Sequence, residues 1–419
     1  MSDMSKLDVA TPSPSDFNPL SPENAADPYP FYRAMRHHSP VYQVPGAGFF
    51  IVSRHADILH VLSHPEIFSS RQPPGVDTRP PDDVMEIMAQ GYPPMDTLLT
   101  NDPPSHFRFR ALVNKAFSAR RVLTLEPKVR QISNELIDRF IADGEVELVS
   151  QFAIGLPLTV IADALGVSRS DMGDFKRWSD DAVAPLGGMI SHQRQLECAR
   201  SFVEFQRYFE ARLEERKAVP RDDLTTDLLN ARLEGTQPLE IAEMLSIINQ
   251  LLVAGNETTT NLIASAMMLL LRNPDQMRLV IEVPSLIPNM VEEALRIESP
   301  VQGLFRVAKA PTEIAGVKIP EGARLVVMYA SGNRDEAEFP DPDRFDVRRA
   351  NAKMHLAFGQ GEHFCIGAAL ARLEARVAFE TLLKRMPNIR LAAGKNNFAH
   401  TPSFILRGLR ELHLEFEAG

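Results

Sequence analysis

Apolar positions recur with two different periods along this chain, and the change of period divides it. From about 106 to 272 they return every three or four residues, as in helices that bury one face, with breaks near Gly144, Gly187 with Gly188, and Pro220. Elsewhere the period is shorter. Val41 to Val44 and Phe49 to Val52 flank Pro45, Gly46, Ala47 and Gly48, which predicts a hairpin, and 55–65 returns to a helical pattern. After Pro300, Glu313 to Pro320 reads as a second hairpin and Arg324 to Tyr329 as a buried strand, while Leu412, Leu414 and Phe416 alternate with polar neighbours. Prolines 73, 74, 80, 81, 93, 94, 103 and 104 exclude a continuous helix from Arg71 to Pro104, and long irregular segments of this kind are usually functional.

The pattern predicts a mainly α protein with a smaller β-rich lobe. We expect one domain over 17–419, with an α-rich body at about 106–300 and β-rich parts at about 40–70 and 301–419. A disordered arm over 1–16, containing Thr11, Pro12, Ser13, Pro14, Ser15 and Asp16, precedes it. Met244 to Leu271 is the most apolar segment, but Asn249, Gln250, Asn256, Glu257 and Asn261 interrupt it, so it is read as a buried core helix and no membrane insertion is expected. Composition adds little beyond an ordinary globular protein, at 44% hydrophobic and 24% charged residues. A net charge of −10 speaks against nucleic acid as a partner. The first residues lack a basic flank and an apolar stretch, so a cytoplasmic protein is expected, and a monomer.

Chemistry enters at Cys365, one of two cysteines, in the run Phe358, Gly359, Gln360, Gly361, Glu362, His363, Phe364, Cys365, Ile366, Gly367. Two cysteines make neither a disulfide framework nor a zinc cluster, so a single metal-binding thiolate explains it best. A helix is predicted from Ala368, with apolar positions at 370, 373 and 377, and the amides at its start should lower the thiol pKa. Gly361 and Gly367 would let the backbone approach a planar ring.

Other motifs lie far from it. In Ala254, Gly255, Asn256, Glu257, Thr258, residues 254 and 258 share a helix face beside a glycine. Glu257 and Thr258 either relay protons or are a core acid and a hydroxyl bonded back to the helix. Glu293 and Arg296 can pair at i,i+3, and His106 and Arg110 share another face.

Phe358, Gly361, His363, Cys365 and Gly367 together match the haem-binding signature of the cytochrome P-450 superfamily, which the chain resembles from about residue 17 to 416. The resemblance implies that fold, with a long central helix over haem b, an axial thiolate from Cys365, and a cofactor site completed by Ala254, Gly255, Phe358, Gly359 and Gly367. It implies an acid–alcohol pair in Glu257 and Thr258, and propionate contacts from His106, Arg110, Arg306 and His363. Glu293, Arg296 and Arg344 would form a buried structural network.

The activity so implied is insertion of one atom of dioxygen into a C–H bond or alkene of a lipophilic small molecule: terpenoid, steroid, alkyl-aromatic or polyketide. Alternatives are a peroxide-driven haem-thiolate enzyme, which tends to lack the acid–alcohol pair, and a non-catalytic haem-thiolate carrier or sensor. No glycine fingerprint for flavin or nicotinamide occurs, so electrons are expected from an acidic ferredoxin and its NAD(P)H-dependent reductase, docking on a basic patch of Arg108, Lys115, Arg372 and Arg376. By analogy the substrate pocket draws on Met85, Met88, Met95, Leu252, Ala254, Val301, Gln302, Leu304 and Phe404, with Arg71 or Arg79 available to a carboxylate.

Overall fold

A computed structural model describes residues 13–18, 21, 24, 26–71, 80–114, 117–187, 190–235 and 237–418. The long central helix is α11 (Ile241–Arg272), which at 1.5 Å per residue is about 48 Å long. Glu240 and Glu243 cap its start reciprocally, and Asn273 and Pro274 end it. From 259 to 270 every position of α11 is buried, which explains its apolar composition without a membrane. No described helix is long and apolar enough to cross one.

The elements before α11 are α1 (Tyr29–His38), β1 (Val41–Gln43), β2 (Phe49–Val52), α2 (His55–Ser63), β3 (Phe68–Ser69), α3 (Asp82–Met88), α4 (Ser105–Asn114), α5 (Ala119–Thr124), α6 (Glu126–Ile137), β4 (Glu145–Glu147), α7 (Gly155–Leu165), α8 (Met172–Val183), α9 (His192–Ala218) and α10 (Leu224–Asn230). After it come α12 (Pro274–Glu282), α13 (Ile287–Ile297), β5 (Leu304–Ala308), β6 (Thr312–Ile314), β7 (Val317–Ile319), β8 (Arg324–Val327), α14 (Tyr329–Gly332), α15 (Ala368–Arg385), β9 (Arg390–Leu391) and β10 (His413–Glu415).

The C-terminal half of α11 shares one hydrophobic core with α6, α7, α13 and α15, and its N-terminal half shares another with α7, α8 and α9. The expected hairpins are β1–β2 and β6–β7. The main sheet runs β1-β2-β8-β5-β3, with β2 and β8 parallel and Ile51 opposite Val326. Two expectations are corrected. Pro14–Asp16 form a 3-10 turn in which the Ser13 side chain accepts from the Ser15 amide and Asp16 bonds back, so the arm does not extend to 16; its residues before Ser13 lie outside those described. The α-rich body contains β4, which pairs Val146 with Leu414 of β10 after a left-handed turn at Gly144; three residues are too few to show a period.

Behind α13 lies a closed ion network. Glu293 and Arg296, both fully buried, bond through two contacts of 2.7 and 2.8 Å, and Arg349 Nε donates to Glu293 Oε1 at 2.9 Å. The network therefore uses Arg349, not Arg344. The turn after Pro340 presents the Arg344 carbonyl inward, where Arg296 and Arg349 donate to it, and leaves the residue exposed.

Candidate active site

The cysteine loop is a folded turn. Cys365 N–H donates to Phe358 O at 2.9 Å, and Gly361–His363 form a 3-10 turn. Gly361 has φ +71°, and a Cβ there would lie 2.7 Å from the Leu62 carbonyl oxygen, so the loop seats against α2 only with glycine. Gly367 is the N-cap of α15, and a Cβ on it would face Cys365 Sγ at 3.9 Å. Gly359 also has positive φ, and Phe358 lies under the Arg372 guanidinium at 4.5 Å.

Burial pushes the Cys365 pKa up, and by more than the Gly367 and Ala368 amides at the start of α15 lower it; those amides act as expected, with Arg110 and Arg372 adding to them.

Beside the loop are four nitrogen-bearing side chains from three parts of the chain. His106 of α4 is fully buried, and its ring lies 4.1 Å from that of His363. Neither nitrogen of His106 nor Nε2 of His363 makes a hydrogen bond of good geometry, although the Leu98 backbone lies close enough to favour the charged form of both rings and Glu362 Oε1 is 3.5 Å from His363 Nε2. Burial and then Arg110 hold His106 down at about 4; burial, Arg306 and His106 hold His363 down at about 3. Arg306, on β5, is buried with Nη1 donating to the Phe305 carbonyl at 2.8 Å, and Arg110 donates to the Phe364 carbonyl at 2.9 Å. His106, His363 and Glu362 bring possible ligand atoms within 4.8 Å of one another, but burial and Asp102 raise the Glu362 pKa. Two arginines and two imidazoles with open donor positions fit a buried dianion, which is what the two carboxylates of a haem present.

On α11, Ala254 is exposed although it lies in the middle of the molecule's longest helix, so its face borders open space. Thr258 Oγ1 donates to the Ala254 carbonyl at 2.7 Å. Glu257 accepts from Asn261 at 3.4 Å, and burial raises its pKa, with Asp180 adding and Lys176 opposing. Gly255 does not belong to this face: a Cβ there would meet only Ile161 of α7, at 3.8 Å. Helix α11 packs on α15 one residue further on, where Thr259 bonds Glu374, a carboxyl that burial pushes up to about 8. One residue that the sequence singled out only as a polar interruption proves structurally specific: Asn256 donates to Ser179 of α8 at 2.9 Å.

The pocket residues divide. Leu252 is fully buried in the core shared with α8 and α9, because two residues before Ala254 is about 200° around the helix. Gln302 is also core, its amide donating to the Ser299 carbonyl and accepting from Tyr32, and Phe404 is buried against Phe49 and Phe305. These three are corrected. Leu304 is half-buried on the same side of β5 as Arg306, Val301 is half-buried and bridges Leu406, Met88 and Met95 are half-buried, and Met85 is exposed. Arg71 is engaged by Asn101 and Ser105, and Arg79 lies outside the described residues.

The described arginines of the expected basic patch are all engaged in ion pairs. Arg108 is bidentate to Glu243 at the start of α11, Arg372 to Glu292 at 2.7 and 2.9 Å, and Arg376 bonds Glu126 and Glu380; Lys115 lies outside the described residues. Beside Arg372 and Arg376 is an apolar groove of about 500 Å³ lined by Val122, Leu123, Val291, Ala369 and Leu373.

Such a site, a cysteine turn at a helix start with a dianion cradle beside it under a long acid- and threonine-bearing helix, defines a haem-thiolate class of enzyme. A family model for cytochrome P450 matches residues 170–387. The chain is 39% identical over 396 residues to cytochrome P450 107B1 of Saccharopolyspora erythraea, covering 93% of this chain and 95% of the relative. It is 34% identical to the vitamin D(3) 25-hydroxylase of Pseudonocardia autotrophica over 92% and 93%. The crystal structure of cytochrome P450 CYP109Q5 from Chondromyces apiculatus superposes with a TM-score of 0.85 at 40% identity, over 97% and 99%. The chain belongs to the cytochrome P450 family and is a haem-binding monooxygenase.

Proposed function

We propose that the chain hydroxylates or epoxidises a neutral lipophilic molecule, with Cys365 as the residue that would hold the haem iron through its sulfur, and electrons from a separate ferredoxin and reductase. For hydroxylation the balance is RH + O2 + NAD(P)H + H⁺ giving ROH, H2O and NAD(P)⁺. The observation that carries this reading is the set of open donors on His106 and His363 beside Arg110 and Arg306, next to Cys365. The bound haem supplies oxygen activation; the chain's own residues do the rest. His106, Arg110, Arg306 and His363 hold the carboxylates. Glu257, whose proton affinity burial raises, would pass a proton to the Thr258 hydroxyl, which would hand its own to the oxygen being reduced, and solvent would reprotonate Glu257. Apolar Met88, Met95, Val301 and Leu304 favour a lipophile, as does the name of the vitamin D(3) relative.

The electron donor docks over α15, where the apolar groove lies directly after the cysteine turn. The reading includes one domain over 17–419 working as a monomer in the cytoplasm. The acid–alcohol pair favours it over peroxide-driven turnover and over a carrier. The test is a spectral-shift screen of lipophiles against the ferric protein, then turnover with surrogate ferredoxin, reductase and NADH. Product should form with NADH and carry one atom from labelled dioxygen; product with peroxide alone and none with NADH would favour the alternative. Cys365→His should retain haem yet lose the strongly red-shifted Soret band of the reduced carbonyl complex.

A further inference from the structure

We propose that Asn256 is a positioning residue for proton delivery, acting through its hydrogen bond to Ser179, which pins α8 across the turn of α11 that carries Glu257 and Thr258. The inference rests on the monooxygenase reading above and adds a residue pair to it.

Asn256 and Ser179 are 2% and 1% exposed, and the Nδ2–Oγ distance is 2.9 Å. The amide oxygen of Asn256 has no partner. An amide buried in an apolar helix with half its capacity unmet contributes little to stability, because desolvation offsets its one bond. What that bond does achieve is registry, a fixed attachment between two helices that are otherwise joined by apolar contacts. Residue 256 is suited to this, since it points to α8 while 254 and 258 share a different face.

The attachment lands beside the acid. Ser179 lies between Lys176 and Asp180 on α8, and these two bond each other at 2.6 Å. They are the charged groups that bear on Glu257 from across the gap; its own helix offers Asn261, and the side of α11 at Gly255 faces apolar Ile161 of α7. Both the burial of Glu257 and its exposure to this ion pair therefore depend on where α8 sits. Released from the pin, α8 admits water to the carboxyl and carries Asp180 and Lys176 away together, two influences of opposite sign that offset each other. Water entry then lowers its proton affinity, so Glu257 is ionised over more of the working range and donates less often. Electrons not matched by protons then leave as peroxide: NADH + H⁺ + O2 giving NAD⁺ and H2O2.

The experiment compares Ser179→Ala and Ser179→Thr holoenzymes with wild type, using NADH, surrogate ferredoxin and reductase and a lipophile from the screen. For Ser179→Ala, peroxide per NADH should rise roughly threefold or more, and the alkaline limb of coupling should move to lower pH, at unchanged haem content and substrate spectral shift. Ser179→Thr, which keeps the hydroxyl, should restore both. The double variant Ser179→Ala with Glu257→Gln should be no worse than Glu257→Gln alone, because the pin acts through the acid. Amide exchange at 254–258 should quicken in Ser179→Ala. An unmoved pH limb, or losses that add in the double variant, would overturn the proposal. If wild type consumes no NADH, the monooxygenase reading falls and the pin is judged by exchange alone: unchanged protection at 254–258 in Ser179→Ala then overturns it.

Discussion

The buried polar groups on the two sides of the cysteine loop are arranged in opposite ways. Behind it, along α13 and the start of α15, buried carboxylates meet cations: Glu293 with Arg296 and Arg349, Glu292 with Arg372 and His355. In front of it, His106 and His363 lack hydrogen bonds of good geometry, and burial with Arg110 and Arg306 depresses both rings, outweighing Asp102 at His106, while the Glu362 carboxyl beside them has its pKa raised by burial. A closed set of bonds holds a fold, whereas an open set of one sign costs stability until a ligand of the other sign arrives. Pairing, rather than burial or charge alone, distinguishes scaffold from site.

Substitutions break the two sides with opposite sign. Arg296→Leu leaves Glu293 buried with only Arg349 and the Asp346 amide, and should destabilise the protein by about 3–5 kcal/mol in denaturant unfolding. Arg344→Ala, which spares the network, should stay within about 0.5 kcal/mol. Acid tests the same side. Glu292 would be raised by burial, but its bonds to His355 and Arg372 hold it down at about 2, below the ordinary 4.5. Its stabilisation of about 3 kcal/mol is present above pH 4.5 and is lost as pH falls through 2, so Glu292→Gln should flatten the acid limb of a stability–pH curve. Glu374 has the reverse sign: raised by burial to about 8, its contribution is full below 4.5 and falls as pH rises through 8. At the front, His106→Phe removes unsatisfied nitrogens and should raise the stability of haem-free protein by about 1–3 kcal/mol, while haem transfer to a scavenger quickens. A loss of stability in the haem-free state would show that His106 belongs to the closed kind.

The same distinction explains what the sequence could disclose. Cys365, its flanking glycines and the Glu257–Thr258 pair act within one turn or one helix, so their order along the chain carries their geometry. Arg349 was missed for Arg344 because the choice depends on which way a proline-rich turn faces, and Glu293 is set by tertiary contact. Leu252, Gln302 and Phe404 enter the expected pocket by analogy with the resembling fold, which does not tell core from cavity in this chain; helical phase alone removes Leu252. For the basic patch, composition shows cations and not the carboxylates that pair with them.

That pairing leaves the smallest prediction. Around the groove on α15, three guanidinium groups, of Arg130, Arg372 and Arg376, meet three carboxylates, of Glu126, Glu292 and Glu380, so the ion pairs are neutral and Lys353, which also lines the groove, adds a single positive charge. Steering an acidic ferredoxin over a Debye length needs a larger net charge, whereas apolar contact at Leu123, 63% exposed beside the groove, does not. Raising salt from about 0.05 to 0.5 M should therefore change the second-order rate of ferredoxin-driven reduction by only about twofold, and Leu123→Asp should slow it more than salt does. A steep fall with salt and indifference to Leu123→Asp would mean that the ion pairs open on docking, and that this face is closed only while the donor is absent.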